Sequence, residues 1–273
     1  MAVLGVGARV LFRNATIAYL PNRASHYLNC QKNIRFGTLE AEMPWLSNVT
    51  REIVKTNKGA SAIDVGANLG LFTQLLLDAG ANVTSIEPNS RLSKYLNKVF
   101  GARITCLNIG LSDSSYSVEL RIPRIKAVPS RMSAMDALAT IHPQNTLSSF
   151  DSDNSFRNEI EVKTIDDLFL SSEQVDVLKI DVEGHESQVI QGGMKTLAKY
   201  HPLIMCEIES RHGGDLEAIS NTLLSIGYSV GVIDLEKFRP LTDQEISNWK
   251  SNSLSYSNFI FVPVRFKEIV ESV

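Results

Sequence analysis

Cysteine is scarce in this 273-residue chain, and the three present, Cys30, Cys106 and Cys206, lie far apart with no C-x-x-C spacing. That excludes a disulfide framework and a zinc ribbon, and it fits a reducing, cytoplasmic setting. Long apolar runs are also missing: no window approaches the roughly 20 uninterrupted apolar residues of a membrane span. The N-terminal MAVLGVGARVLFRNATIAYL has too short an apolar stretch for a signal peptide, is broken by Arg9, and is read as part of a folded arm. Charge of one sign is lacking as well. With 27 Lys plus Arg against 30 Asp plus Glu, the net charge is −3 and the pI about 6.0, so no overall field draws nucleic acid or an anionic membrane.

What is there is an ordinary globular composition, 44% apolar and 21% charged, on a chain long enough for one full core. From residue 61, short apolar runs ending in acids or glycine alternate with segments of helical period. This rhythm marks βαβ units and an α/β, doubly wound, mostly parallel sheet. Seven strands are expected: Ser61–Val65, Val83–Ile86, Ile104–Ile109, Val175–Ile180, Leu203–Ile208, Tyr228–Ile233 and Phe259–Val264. Leu69–Ala79, closed by Gly80, and Arg91–Phe100, closed by Gly101, supply the first crossover helices. Ser187–Lys199 and Asp215–Ile226 supply the next two, the second stopped by Gly227. Residues 1–60 form an N-terminal arm, helical over Glu40–Lys58, where Trp45, Leu46, Val49 and Ile53 recur at helical spacing to cover one end of the sheet. Residues 121–160, with Pro123, Pro129 and Pro143, interrupt the rhythm of the domain formed by residues 61–273, as a lid-like insertion does.

The most informative stretch is SAIDVGANLG, where an apolar strand ends at Asp64 and a Gly66-x-x-x-Gly70 turn feeds a helix. Glycine lets a backbone approach a ligand closely, and the helix start exposes amides, so a glycine turn here makes a nucleotide-type site. About twenty residues on, the second strand ends in Ile86-Glu87-Pro88, placing an acid where it accepts from both hydroxyls of a ribose. Together the two motifs specify an adenosine-containing ligand. A pyrophosphate would be repelled by Asp64, whereas S-adenosylmethionine brings an ammonium and a sulfonium, so the charge favours the latter. The dinucleotide fingerprint G-x-G-x-x-G is also absent. Gly110-Leu111-Ser112-Asp113 sets a polar turn at the same edge, where Asp113 either accepts from the adenine amine or simply caps the strand as an Asx turn.

The fourth strand runs into Lys179-Ile180-Asp181-Val182-Glu183-Gly184-His185-Glu186. Ligands of doubly wound sheets sit beyond the strand ends at the switch point, which places Asp181 across the crevice from Asp64 and puts Glu183 and His185 in the following turn. His185 is read as a base or orienting group, against the plainer role of a structural histidine. The fifth strand ends as Cys206-Glu207-Ile208-Glu209-Ser210-Arg211-His212, aiming Glu207 at the same crevice. Asp181, Glu183 and Glu207 offer oxygens of the kind a divalent cation takes. No second cluster supports an ion, so the favoured reading has these acids holding substrate hydroxyls and the cofactor's ammonium.

In order, DVGANLG, IEP, NIGLSD, EVKTIDDL, VDVLKIDVEGHE and the EIE strand resemble the FkbM family of S-adenosylmethionine-dependent methyltransferases over residues 61–210, KIDVEGHE being the most specific block. The resemblance implies a Rossmann-like, seven-stranded class I methyltransferase sheet. It also implies methylation of a hydroxyl on a sugar, glycan or polyketide-type natural product, leaving S-adenosylhomocysteine. Carried over residue by residue, Asp64, Gly66, Asn68, Gly70, Glu87 and Asp113, with Ser112 beside it, would be cofactor residues, and Asp181 would line the methyl-transfer site.

An aliphatic hydroxyl needs its proton removed during attack, and His185, Glu207 and His212 are the candidate bases. Arg121, Arg124, Lys126 and Arg131 form an acid-free stretch of the insertion, either a solvated lid face or a contact for an anionic acceptor. A nicotinamide-dependent oxidoreductase on the same sheet is disfavoured by Asp64 and the missing fingerprint. A non-catalytic cofactor-binding module is disfavoured by the intact glycine turn and ribose acid. Nucleic acid is disfavoured as a substrate by the net charge and by the lack of an Asn-Pro-Pro-Tyr motif. A homo-oligomer built through the arm is compatible with the sequence.

Overall fold

The computed structural model describes residues 42–123, 155–249 and 256–273. The readings made for residues 1–41 and for Arg124, Lys126 and Arg131 lie outside the described residues. The chain begins with α1 (Glu42–Thr56) and continues through β1 (Ser61–Val65), α2 (Leu71–Asp78), β2 (Asn82–Ile86), α3 (Ser90–Phe100) and β3 (Ile104–Leu107). After a small second sheet come α4 (Ile165–Phe169), β7 (Val177–Ile180), α5 (Glu186–Gln191), α6 (Met194–Tyr200), β8 (Leu203–Glu207) and α7 (Leu216–Leu224). The chain closes with β9 (Tyr228–Asp234), β10 (Lys237–Pro240), α8 (Asp243–Ser247), β11 (Asn258–Pro263) and α9 (Lys267–Ser272).

The central sheet has the order β10-β9-β11-β8-β7-β1-β2-β3. From β3 to β8 its neighbours are parallel, and β11, β9 and β10 add an antiparallel flank. The chain walks outward from β1 to β3 on one side and from β7 to β8 on the other. The switch point therefore lies between β1 and β7, paired from Ala62↔Val177 to Val65↔Ile180, where an open α/β sheet leaves a crevice beyond its strand ends. Successive residues of these strands point to opposite faces, and both faces are covered. Ile63, Leu178, Ile180 and Ile204 join one buried cluster; Ala62, Val177, Leu203 and Met205 join another with Met43, Trp45, Leu46, Val49 and Ile53 of α1. At about 25 cal/mol per Å² of apolar surface removed from water, that continuous stripe of α1 is what holds it against the sheet.

The sheet has eight strands rather than the seven expected. The additional one, β10, pairs with β9 through Leu235 and Glu236, which adopt φ +49° and +65°. Tight hairpin turns with such angles are ordinarily signalled by Asn-Gly or Asp-Gly, and Leu-Glu gives no such cue. The single helix expected over Ser187–Lys199 is two, parted at Gly192 and Gly193. A Cβ on Gly192 would lie 2.0 Å from the Ser112 carbonyl, so this close approach, added to glycine's poor helix propensity, breaks the helix. The ends of the 121–160 segment belong to the second sheet, in which β6 (Ser155–Lys163) pairs parallel with β4 (Gly110–Leu111) and antiparallel with β5 (Tyr116–Pro123). Leu120, Ile122, Ile160 and Val162 give it its own small core. No described helix is long and apolar enough to cross a membrane.

Candidate functional site

At the end of β1 the chain turns through Gly66 (φ +78°), Asn68 (φ +51°) and Gly70 (φ +81°). Only glycine fits at 66, because a Cβ there would stand 1.8 Å from the carbonyl oxygen of Asp181, across the switch point. Gly70 lets the start of α2 pack on α3, where a Cβ would meet Phe100 at 2.6 Å. Glu87, at the end of β2, is buried beneath this turn; its Oε2 accepts from the Asn68 amide and its Oε1 from the Asn89 amide, each at 2.8 Å. Burial pushes its carboxyl up to about 7, against the pull of the Asn89 and Asn68 amides. Asp64 is 1% exposed and accepts from Thr73 Oγ1 at 2.6 Å. Thr73's one hydroxyl proton being spent there, its oxygen accepts from Ser85 at 2.8 Å. Burial raises Asp64 to about 6, while the Thr73 hydroxyl and the Lys179 ammonium hold it lower than burial alone would.

The other wall of the crevice rises from β7 and β8. Lys179 is fully buried in β7, opposite Asp64 in the register. Its ammonium rests 4.7 Å above the Phe72 ring and lies 3.7 Å from Asp181 and 4.0 Å from Glu207. A buried ammonium without such partners would be costly. Past Asp181, Glu183 takes φ +54°, and its Oε2 lies 2.9 Å from Nδ1 of His212; Glu209 Oε2 reaches the same nitrogen at 3.2 Å. His185 is buried at the start of α5, its Nε2 2.9 Å from Ser112 Oγ, to which Tyr116 donates at 3.2 Å.

The crevice between these walls is open to solvent and is lined from both sides of the switch point. Of the residues singled out in the sequence, Gly66, Asn68, Glu87, Asp181, Glu183 and His185 line it. Asp64 sits behind the glycine turn against Thr73, and Gly70 faces α3. Ser112 backs His185, and the exposed Asp113 accepts from Ser112 and Ser114 within its own turn. Glu207 and His212 stand behind Asp181 and Glu183 respectively, as their pairings above place them. The trio Asp181, Glu183 and Glu207 does not converge on one point: Asp181 and Glu207 meet at Lys179, and Glu183 joins Glu209 and His212 instead. Lys179 and Glu209 are the two residues of this wall that sequence reasoning passed over. The i, i+2 spacing of Glu207 and Glu209 was the available signal for the latter.

Compared with known families, the chain matches the "Methyltransferase FkbM domain" over residues 64–230, more than half its length. No curated protein matches it. Among solved structures it is similar to an FkbM methyltransferase from Methylobacillus flagellatus KT, at 18% identity and TM-score 0.46, covering 93% of this chain and 59% of that one. It is also similar to a TehB-like SAM-dependent methyltransferase from Corynebacterium glutamicum ATCC 13032, at 10% identity and TM-score 0.40, covering 80% and 87%. A third is the magnesium protoporphyrin IX methyltransferase of Synechocystis PCC 6803 with bound SAM, at 12% identity and TM-score 0.38, covering 96% and 97%. The chain thus spans less than two thirds of the first of these structures.

Proposed function

The chain belongs to the FkbM family of methyltransferases, and from that premise we propose that it transfers a methyl group from S-adenosylmethionine to a hydroxyl oxygen of a sugar, glycan or natural-product acceptor. The observation that carries this reading is the pairing of the Gly66 turn with Glu87 on one side of the crevice. Each Glu87 oxygen takes one amide N–H, which leaves the carboxylate acceptor capacity for the two hydroxyls of a ribose. Asn68 Oδ1, at the crevice wall, is buried and has no hydrogen-bond partner among the described residues, an acceptor suited to a donor on the ligand. Ile86, Pro88, Leu92 and Ile109 give an apolar surface for a purine, and Asp181 and Glu183 give negative charge for an ammonium. The residues present therefore fit S-adenosylmethionine.

When bound, S-adenosylmethionine supplies an electrophilic methyl carbon on a sulfonium. The work left to the chain is positioning and proton removal. Gly66 allows the β1 turn and the Asp181 backbone to close on each other, fixing the floor of the crevice. Asp181, tied from below by Lys179, presents a carboxylate at the methyl-transfer end, where holding the acceptor near the methyl supplies much of the rate. One of His185, Glu207 and His212 takes the hydroxyl proton, a contribution of about 10²–10⁴ in rate. Incubation with methyl-labelled cofactor and a panel of polyhydroxylated acceptors tests the reading. The expected product is an O-methyl ether, identified by mass and by its methyl resonance. Label found on nitrogen or on a carboxylate would contradict it.

A further inference from the structure

We infer that Lys179 is a positioning residue for the methyl-transfer end of the crevice: from beneath, its buried ammonium holds the Asp181 carboxylate aimed into the site, with Glu207 beside it. The inference rests on the O-methyl transfer proposed above and deepens it. Lys179 is fully buried within β7 and is not among the described residues that line the crevice. The acids it serves are the reverse. Asp181 lies on the crevice wall with its side chain 34% exposed, and that of Glu207 is 23% exposed, against 1% for Lys179. The cation therefore gives the two acids a counter-charge without itself reaching a ligand.

Backbone and side chain of Asp181 are fixed by different neighbours. Its amide donates to the Val65 carbonyl at 3.0 Å, and its own carbonyl packs against Gly66, so β1 holds the backbone. The side chain is left to be placed, and Lys179 Nζ lies 3.7 Å from its Oδ2. Lys179 is placed in turn from both walls. It stands opposite Asp64 of β1 in the register, its ammonium meets the Phe72 ring at the start of α2, and it donates to the Ile180 carbonyl at 3.4 Å. Around Asp181 lie Asp64 from β1, Glu87 from β2, Glu186 from α5, and Cys206 and Glu207 from β8. The carboxyls of Asp64, Glu87 and Glu186 are raised first by burial and further by the charge on Asp181. That repulsion is mutual, and Lys179, which draws Asp64 down, supplies the opposing charge. A methionine of similar length would fill the same space against Phe72 without the cost of burying an ammonium. It would not supply the charge beneath Asp181, so packing alone does not account for a lysine here.

Substitutions at the two positions test this on the full chain. Carbon-13 spectra of labelled aspartate carboxyls, with the Asp181 signal assigned through D181N, need no acceptor. That signal is expected to titrate about 1 pH unit or more higher in K179M than in wild type, and close to wild type in K179R. K179Q carries the same measurement if K179M does not fold. An Asp181 signal that titrates alike in wild type and in a neutral variant would overturn the inference even if O-methyl transfer is real. With an acceptor in hand, K179M should lower kcat about 10-fold or more and K179R should recover most of the loss. K179M/D181N should be no slower than D181N alone, because the lysine acts through the aspartate. Losses that add in the double variant would overturn the assignment while leaving the proposed function standing. A shifted Asp181 titration with the methyl label found on nitrogen would leave the link between Lys179 and Asp181 standing and count against the O-methyl reading alone.

Discussion

The two walls of the crevice use the same residue types in opposite ways. On the β1–β2 side, Asp64 and Glu87 are buried, bonded among the described residues to a hydroxyl and to backbone amides, and pushed up to about 6 and about 7 by loss of water. On the β7–β8 side, Asp181, Glu183, Glu207 and Glu209 are partly exposed and meet nitrogen bases, Lys179 or His212. Environment rather than residue identity divides acids into roles. The first wall is a rigid cradle in which Glu87 lines the crevice and Asp64 is turned inward to Thr73. The second is a network of paired charges, Asp181 and Glu207 about Lys179, Glu183 and Glu209 about His212.

The most severe way to break this division is to force the walls apart. Gly66→Ala places a methyl where the Asp181 carbonyl now sits, at a positive φ, and should cost about 3 kcal/mol or more in stability. Thermal unfolding checks it, and a melting temperature within about 2 °C of wild type would show that the walls are not in contact as described. Glu87→Ala comes next. It leaves the Asn68 and Asn89 amides without their acceptor and removes the acid proposed to hold the ribose, so cofactor affinity should fall about 10- to 100-fold, read by calorimetry.

The buried carboxyls also make a signed prediction about pH. A carboxyl raised in the folded state favours folding below its ordinary value, 3.8 for Asp64, and that contribution is lost as pH rises through about 6. Asp64→Asn, which keeps an acceptor for Thr73 and carries no charge, should therefore match wild type near pH 4 and exceed its stability by about 1–3 kcal/mol at pH 8. Denaturant unfolding at the two pH values checks this, and an advantage that shrinks as pH rises would contradict it. The smallest effect belongs to the second wall. Glu209→Gln alone leaves Glu183 on the same nitrogen and should cost less than about 1 kcal/mol, with turnover lowered only a few-fold.

The first wall was legible in the sequence because its determinants are local. Gly66 and Gly70 at positive φ, a strand ending in Glu87 about twenty residues later, and the helix between them all announce themselves by spacing. The parallel part of the sheet was legible for the same reason, its buried strands reading as near-continuous apolar runs. Residues whose roles depend on partners distant in the chain were not. Lys179 reads as a polar position in a strand until the fold sets Phe72, Asp181 and Glu207 around it. Glu209 acquires meaning only from Glu183, on another strand end, and β10 rests on a Leu-Glu turn that carries no hairpin signal. Asp64 was expected at the ligand, but the pleat turns it inward to Thr73.

The central claim is that the β1–β2 wall holds the cofactor while the β7–β8 wall handles the proton. Titrating S-adenosylhomocysteine by calorimetry into wild type, E87Q and H212Q tests it most directly. Tight binding by wild type and H212Q, a loss of about tenfold or more in E87Q, and no binding of NAD by any of them is the predicted result. Binding of NAD in place of S-adenosylhomocysteine, or an equal loss in both variants, would contradict it.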